Sequence, residues 1–233
     1  AVASFLREQK FDPRTISVRS ASKAVLCIRD SFFSPEPFDE HAGLALHLRA
    51  YYICTATSSP PMAVKIESIT EESHESACRA IFCTNYEEYA NTHKSIAKMV
   101  KAAVATDMNH IIEYYNRDSN GCFFVATNGD GEVVGCIGVK YCDFRDGYEI
   151  NRLCVDSCCQ GRGIGGKLLE ACEEFVVGDG KSTLLFAVTP IFMESAHAFY
   201  TSRNFLKDVT FTAPTNVAVP LSVFSKDVKV DAS

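Results

Sequence analysis

The chain has 233 residues, of which 47% are hydrophobic and 22% are charged, and its net charge is −6 at pH 7. This composition is typical of a globular protein with a sizeable core, and the negative charge argues against a nucleic-acid-binding role. No stretch of about 18 consecutive apolar residues occurs, so no membrane span is predicted.

The eleven cysteines are read as reduced thiols rather than as disulfides or metal ligands. Several, including Cys122 and Cys172, lie in apolar runs, where cysteine behaves as a small core residue. Zinc sites usually contain C-x-x-C pairs, which this chain lacks, and no metal is expected. The sequence thus predicts a cytoplasmic protein, with organelle targeting by the N-terminal segment as the alternative.

The first 61 residues differ in composition from the remainder, since they contain one of the thirteen glycines. Residues 58–61 read as a linker, and residues 39–56 could form one helix. We predict a non-catalytic N-terminal extension or arm over residues 1–61 and one catalytic domain over residues 62–233.

The pattern from residue 62 onward predicts strands and helices in an order typical of a mixed α/β fold. Asn128 to Gly131 is a strong hairpin turn, because these residues accept positive φ angles. The predicted elements are a strand at 64–69, helices to about 115, strands at 122–127, 132–141 and 148–155, a helix from 164 to 177, a strand at 182–188, a helix at 190–203, and strands at 205–211 and 217–224.

Residues 160–167 read QGRGIGGK and match three different phosphate-binding patterns. Gly161, Gly163 and Gly166 match the dinucleotide fingerprint G-x-G-x-x-G. Gly161, Gly166 and Lys167 match most of the nucleoside-triphosphate pattern G-x-x-x-x-G-K. Gln160, Gly163 and Gly165 match Q-x-x-G-x-G, the pyrophosphate loop of acetyl-CoA-dependent N-acetyltransferases.

The context of this run argues against the first two patterns. A dinucleotide fingerprint normally lies in the first strand-to-helix turn, whereas this run follows at least four predicted strands. A triphosphate loop needs a Ser or Thr hydroxyl after the lysine to ligate Mg²⁺, and Leu168 stands there. The third pattern remains, beside the simpler reading that the run is only a tight turn between a strand and a helix.

Residues 121–205 resemble the GNAT superfamily of N-acetyltransferases, and are nearest to its camello-like branch without that branch's membrane segment. The resemblance rests on the segments GCFFVATNGDGEVVGCIGV, YEINRLCVDSCCQGRGIGGKLLE, STLLFAVTP and ESAHAFYTSRNF. It departs from the family pattern at Met193, where an Asn is usual, and at Asn204, where a Gly is usual.

The resemblance implies a splayed, mostly antiparallel sheet of six to seven strands flanked by helices. The sheet opens after the strand that ends at Val155, and the pantetheine arm of acetyl-CoA lies in the opening. The implied cofactor-binding residues are Leu153, Cys154, Val155, Gln160, Gly161, Arg162, Gly163, Ile164, Gly165 and Gly166.

Glu149 is the candidate general base, because it lies eleven residues before Gln160, where protein-acetylating members of the superfamily carry a catalytic Glu. Strand alternation predicts that Glu149, Asn151, Leu153 and Val155 share one face directed toward the cleft. The alternatives are that Glu149 is a solvated carboxylate at the strand edge, or that Asp143 or Asp146 of the preceding turn takes this role.

Tyr200 is the candidate general acid, since the family commonly presents a Tyr hydroxyl to the cofactor sulfur at this position. The alternative is an ordinary buried tyrosine beside Phe199, and His197 is read as structural. Cys154 and the Cys158–Cys159 pair could suggest a thiol nucleophile, but no histidine partner is identifiable by spacing, so direct transfer is favoured.

These readings predict an N-acetyltransferase that moves an acetyl group from acetyl-CoA to a primary amine, with a small, amino-acid-like acceptor favoured. One alternative is acetylation of a lysine or an N-terminus in a protein or peptide. Another, of a different class, is a CoA-binding module without transfer activity. Many such folds dimerise through their late strands, so a homodimer is also an expectation.

Overall fold

The computed structural model describes residues 62–117, 120–212 and 219–228, so the predicted N-terminal arm over residues 1–61 lies outside the described residues. The elements are β1 Lys65–Ser68, α1 Glu72–Thr92, α2 Lys94–Ala105, α3 Ile111–Asn116, β2 Gly121–Thr127, β3 Val133–Cys142, β4 Gly147–Val155, a 3₁₀ turn Ser157–Cys159, α4 Ile164–Asp179, β5 Leu184–Pro190, α5 Glu194–Ser202, β6 Leu206–Thr212 and β7 Pro220–Asp227. Among these elements, no helix is long and apolar enough to cross a membrane.

The seven strands form one sheet in the order β1-β2-β3-β4-β5-β7-β6. Every neighbouring pair is antiparallel except β4 and β5, which are parallel. The β2–β3 hairpin turns as predicted, because Asn128 Oδ1 accepts the N–H groups of Asp130 and Glu132 and Gly131 has a φ of 81°. The mixed α/β fold with a mostly antiparallel sheet is therefore confirmed.

The central parallel pair separates along its length. β4 pairs with β5 only over three positions, from Tyr148 opposite Leu185 to Ile150 opposite Ala187. The last five residues of β4 are not paired with β5, so a gap opens toward the C-terminal ends of both strands. This gap is the predicted splay.

The sheet separates two apolar clusters. One lies between the sheet and α4 and includes Ile137, Leu168 and Phe224. The other lies between the sheet and helices α1 to α3 and includes Phe82 and Tyr115. Both faces of the central strands are thus buried, which holds β3 and β4 in place beside the gap.

A bulge interrupts β4 in the stretch that borders the gap. Arg152 has a φ of 54°, and the β3–β4 register shifts there, so that Lys140 pairs with Glu149 but Cys136 pairs with Cys154. From one pair to the other, β3 advances by four positions and β4 by five, so β4 contains one extra residue.

The bulge overturns the predicted alternation of side chains along β4. Leu153 and Val155 pack on the α4 side of the sheet. Glu149 lies on the opposite face, which also carries Cys154 and which α1 to α3 cover. The expectation that Glu149, Leu153 and Val155 share one face is therefore wrong. The inserted residue at Arg152 reverses the facing of everything after it.

A buried ion pair holds the bulge. Arg152 donates Nε and Nη2 to the two carboxylate oxygens of Asp107 at 2.8 and 3.0 Å, and Tyr115 Oη donates to Asp107 at 3.0 Å. Burial opposes ionisation of Asp107, but the Arg152 and Tyr115 hydrogen bonds hold its pKa below the usual range. The Arg152 guanidinium also lies 5.1 Å from the ring centre of Phe82 in α1.

Candidate active site

The C-terminal end of β4 directs backbone polar groups into the gap. Asp156 donates its N–H to Val134 of β3, so the N–H and C=O of Val155, one residue earlier, point the opposite way. The Val155 carbonyl accepts Asn85 Nδ2 and Gln160 Nε2, each at 3.1 Å. The Val155 N–H faces the same side, where a ligand in the gap would lie.

The glycine run forms a left-handed loop at the start of α4. Gly161 has a φ of 73° and Gly163 a φ of 82°, and no atom lies within 4 Å of a Cβ built on either, so conformation alone demands glycine. The Gly163 carbonyl accepts the N–H groups of Gly166 and Lys167, which begins the helix. The amides of a first helical turn have no intrahelical acceptor, and the positive end of the helix favours an anion.

The last two glycines of the run have a second purpose. A Cβ on Gly165 would lie 3.3 Å from Phe199, and a Cβ on Gly166 would lie 2.1 Å from Arg203 Nη2, both on or next to α5. Arg203 also pairs with Glu170 at 3.5 Å. Gly165 therefore lets the Phe199 ring of α5 pack closely against the first turn of α4, whereas the neighbour at Gly166 is the flexible end of the Arg203 side chain. The phosphate patterns alone did not indicate this packing.

Arg162 provides an independent sign of a missing anionic partner. Its Nε is buried and is the one side-chain polar atom in the described part of the chain that is both buried and without a hydrogen-bond partner. An unsatisfied buried donor costs about 1–3 kcal/mol, which a phosphate oxygen would recover. The loop, the helix N-terminus and Arg162 together fit a phosphate-bearing ligand.

Glu149 lies where β4 and β5 begin to separate. It pairs with Phe186 of β5 and Lys140 of β3, and it is 5% exposed. Burial raises its pKa above the usual carboxyl range, although Arg152 and Arg145 act in the opposite direction. A carboxylate with a raised pKa is a stronger base, which is what proton abstraction from an amine requires.

Tyr200 lies on α5 within the apolar cluster on the α4 side and is 6% exposed. Its ring centre is 5.3 Å from that of Phe205 and 5.9 Å from that of Phe224. Burial raises its pKa, and the nearby groups Tyr86 and Cys154 raise it further. The phenol therefore stays protonated, as a proton donor must, while the raised pKa makes it a weaker acid than an exposed tyrosine.

The thiols considered as nucleophiles are poorly suited to that role. Burial raises the pKa of Cys154 to about 12. Hydrogen bonds to Asp156 and Cys159 raise the pKa of Cys158 to about 11. Because the thiolate is the nucleophile, both residues are almost entirely in the unreactive form near neutral pH.

Met193 and His197, at the N-terminus of α5, make contacts within the protein that support the local structure. Met193 holds the N-cap position, where it makes no side-chain cap and its carbonyl accepts the N–H groups of Ala196 and His197. His197 Nε2 lies 3.1 Å from the Pro190 carbonyl, and its ring is 4.9 Å from that of Phe224. Burial lowers the His197 pKa.

The candidate Asp146 lies in the turn before β4 and has a φ of 50°. Its side chain accepts the Tyr141 hydroxyl, and its carbonyl accepts Ser182 Oγ at 2.7 Å. These contacts bind the turn to the end of β3 and to the residues before β5, at the closed end of the strand pair.

Sequence reasoning missed an aromatic bridge across the open end of the gap. His93, between α1 and α2, stacks on Phe192 at 4.1 Å, and Tyr89 lies 5.9 Å from the same ring. Asn85, one turn before Tyr89, binds the end of β4, whereas Phe192 follows the end of β5. The bridge thus joins the two sides of the gap, and only the pairing of distant elements reveals it.

Fold and site together define a mixed α/β protein with a glycine-rich loop at a helix N-terminus, close to a split parallel strand pair. A family model described as "Acetyltransferase (GNAT) family" matches residues 82–205, more than half of the chain. The chain therefore belongs to the GNAT acetyltransferase family, which confirms the resemblance drawn from its motifs.

Curated relatives match over part of their length. The N-acetylaspartate synthetase of Homo sapiens is 32% identical over 117 residues, which are 50% of this chain and 38% of that protein. The N-acetylaspartate synthetase of Xenopus tropicalis is 31% identical, with 42% of its length covered. An IAA acetyltransferase of Azospirillum brasilense is 30% identical over 100 residues, which cover 42% of this chain and 64% of that one. The chain therefore spans less than half the length of these synthetases.

Solved structures share the fold at low sequence identity. A GNAT acetyltransferase from Staphylococcus aureus superposes with a TM-score of 0.56 at 17% identity, covering 72% of this chain and all of that one. An aminoglycoside 6′-N-acetyltransferase complexed with coenzyme A has a TM-score of 0.51 at 14% identity, covering 72% and 99%. At these identities the likeness concerns the fold.

Proposed function

We propose that this chain transfers an acetyl group from acetyl-CoA to a primary amine by direct attack, and that the acceptor is small and amino-acid-like. One observation carries the proposal. The loop that fits a phosphate, with its left-handed Gly161 and Gly163 and the unpartnered Arg162 Nε, follows after one 3₁₀ turn the strand that parts from β5 just beyond Glu149.

The cofactor would lie along the gap and end at the loop. Acetyl-CoA supplies an acetyl group activated as a thioester. The Val155 N–H would hydrogen-bond the pantetheine arm or the developing oxyanion. The loop amides from Gly161 to Gly165 and the Arg162 guanidinium would hold the pyrophosphate.

The protons move through Glu149 and Tyr200. A primary amine with a pKa near ~10.4 is mostly cationic at neutral pH, so it must lose a proton before it attacks. Glu149 would accept that proton directly or through a water molecule, and the protonated Tyr200 phenol would donate one to the departing thiolate. The raised thiol pKa values of Cys154 and Cys158 favour this direct route over an acyl-cysteine intermediate.

Arg145 gives the amino-acid-like acceptor a physical basis. Its guanidinium lies 4.9 Å from the ring centre of Phe186, the residue that pairs with Glu149. An α-amino acid whose amine reaches Glu149 could place its carboxylate near Arg145. The present partner, Asp208, lies at 3.1 Å in a partly exposed pair, which is cheap to exchange. The similarity to proteins named N-acetylaspartate synthetase points the same way.

The test compares two acceptors that differ only in the carboxylate, an α-amino acid and its decarboxylated amine. We expect Arg145→Ala to raise KM for the amino acid about 10–100-fold, the worth of a charge-assisted hydrogen bond, and to leave KM for the amine unchanged. Arg117→Ala, which removes an exposed arginine at the end of α3, should change neither value.

An equal effect of Arg145→Ala on both acceptors would contradict the role of Arg145. Turnover with peptides alone would overturn the small acceptor. Tight CoA binding without turnover on any amine would overturn transfer itself.

A further inference from the structure

The 3₁₀ turn between β4 and the glycine loop holds a compact cluster of metal-ligating groups that the proposed mechanism does not use. One carboxylate oxygen of Asp156 and the sulfur atoms of Cys158 and Cys159 all lie within 4.8 Å of one another. In the part of the chain that the structure describes, no other group of three such residues is as close together.

The separation of the two sulfur atoms suits one tetrahedral ion. They lie 3.7 Å apart, and two thiolates at about 2.3 Å from a tetrahedral zinc would be about 3.75 Å apart. The two cysteines are adjacent residues of the 3₁₀ turn. Zinc motifs usually place their cysteines two or more residues apart, so spacing rules overlook this pair.

Asp156 is placed to supply the third ligand. Its Oδ1 accepts the backbone N–H of Cys158 at 3.0 Å and the Cys158 thiol at 2.8 Å. The thiol proton would leave when the sulfur binds a metal, and the carboxylate would then turn from the thiol to the ion. Cys158 is exposed, so an ion can reach its sulfur from solvent, and the sulfur of the buried Cys159 lies 3.7 Å from it.

We propose that Asp156, Cys158 and Cys159 form a binding site for a thiophilic divalent cation of the zinc type, with water as the fourth ligand. Binding forms two metal–thiolate bonds and one metal–carboxylate bond and releases two thiol protons to the solvent. This assignment stands independently of the proposed acetyl transfer.

The metal site lies next to the glycine loop, so a bound ion would affect that loop. Two protons leave as a doubly charged ion arrives, so the net charge of the turn does not change. The effect on the adjacent loop is therefore mechanical, because the ion ties the turn that joins Val155 to Gln160. A ligand that binds the folded chain also stabilises it by mass action.

The experiment titrates the reduced, chelator-treated full chain with Co²⁺, whose tetrahedral thiolate complexes absorb in the visible range, and then displaces it with Zn²⁺. We expect one Co²⁺ per chain with this spectrum and two protons released per ion. Cys158→Ser should weaken binding by more than about 100-fold, since losing even an outer partner of a metal ligand costs about 10–100-fold.

Cys83→Ser is the matched control, because Cys83 is a partly exposed cysteine on α1 outside the cluster. The Cys83→Ser variant should bind Co²⁺ with the same affinity as wild type. Cys159 is buried, so a Cys159→Ser variant could fail to fold. Asp156→Asn is the additional variant: it should weaken Co²⁺ binding while the cobalt–thiolate absorption of the two cysteines persists. Equal affinity of wild type and Cys158→Ser, or no tetrahedral thiolate spectrum in wild type, would overturn the site.

Discussion

Glu149 and Tyr200 take their chemical character from burial, which favours the neutral form of each. In the proposed mechanism the neutral form of Tyr200 would be active, because a phenol donates its proton. The ionised form of Glu149 would be active there, and burial raises the pKa of Glu149, so this carboxylate is a stronger base that remains protonated to a higher pH. The two residues should therefore set different limbs of the pH profile.

Replacing Glu149 by Gln tests the base. We expect kcat to fall by about 10²–10⁴-fold, the usual contribution of general base catalysis. In wild type, kcat should fall as pH drops through the raised pKa of Glu149, because the protonated carboxyl cannot accept a proton. The Gln variant should lose this acidic limb when kcat is measured against pH.

Asp146→Asn is the control, since Asn tolerates the left-handed backbone of Asp146 and removes the carboxylate of the alternative base. Its profile should keep the acidic limb. If the limb disappears in Asp146→Asn and persists in Glu149→Gln, the base has been assigned to the wrong residue.

Replacing Tyr200 by Phe tests the acid. We expect kcat to fall by about 10²-fold or more, with the Kd for acetyl-CoA nearly unchanged because the ring and its packing remain. Turnover by thiol release and Kd by calorimetry separate the two effects. Tyr86→Phe, which changes a neighbouring tyrosine of α1, should leave turnover intact; the reverse result would move the acid to Tyr86.

Among the elements of the candidate site, the loop and helix α4 contain four glycines with two different structural roles. Gly161 and Gly163 provide left-handed backbone, whereas Gly165 and Gly166 make room for Phe199 and Arg203 beside α5. The same run thus combines the backbone geometry of the proposed phosphate site with close contacts between α4 and α5.

Two glycines of α4 and its N-cap distinguish a requirement for a positive φ angle from a requirement for space around the Cβ position. Gly163 and Gly178 both have open space where a Cβ would lie, but only Gly163 has a positive φ. We expect Gly163→Ala to cost roughly 1–2 kcal/mol of stability and to weaken acetyl-CoA binding. Gly178→Ala should stabilise the helix by about 0.5–1 kcal/mol and leave binding unchanged. Thermal unfolding measures the stability of each variant, and calorimetry measures its affinity for acetyl-CoA. Equal changes in stability and affinity for the two variants would exclude a conformational requirement at Gly163.

At the scale of the whole molecule, local patterns were enough for the element order, the hairpin at Asn128 and the loop after β4. The bulge at Arg152 was not predictable by alternation, because it depends on Asp107, 45 residues earlier in the chain. The same holds for Asn85 on the Val155 carbonyl and for the packing of Phe192 on His93. Each of these contacts joins elements that are brought together by the fold.

Assembly belongs to the same scale. β6 is an edge strand of the sheet, and Leu206 at its start is 73% exposed. The homodimer expected through the late strands stays a prediction. The Glu149 and Tyr200 chemistry proposed above uses groups of a single chain.

Direct acetyl transfer is tested by thiol release from acetyl-CoA, measured with and without a primary amine, for wild type and Glu149→Gln. We expect that release requires the amine, that one acetylated amine forms per thiol, and that Glu149→Gln lowers the rate by about 10²-fold or more. Release without an amine, or an unchanged rate in Glu149→Gln, would contradict direct transfer at the gap between β4 and β5.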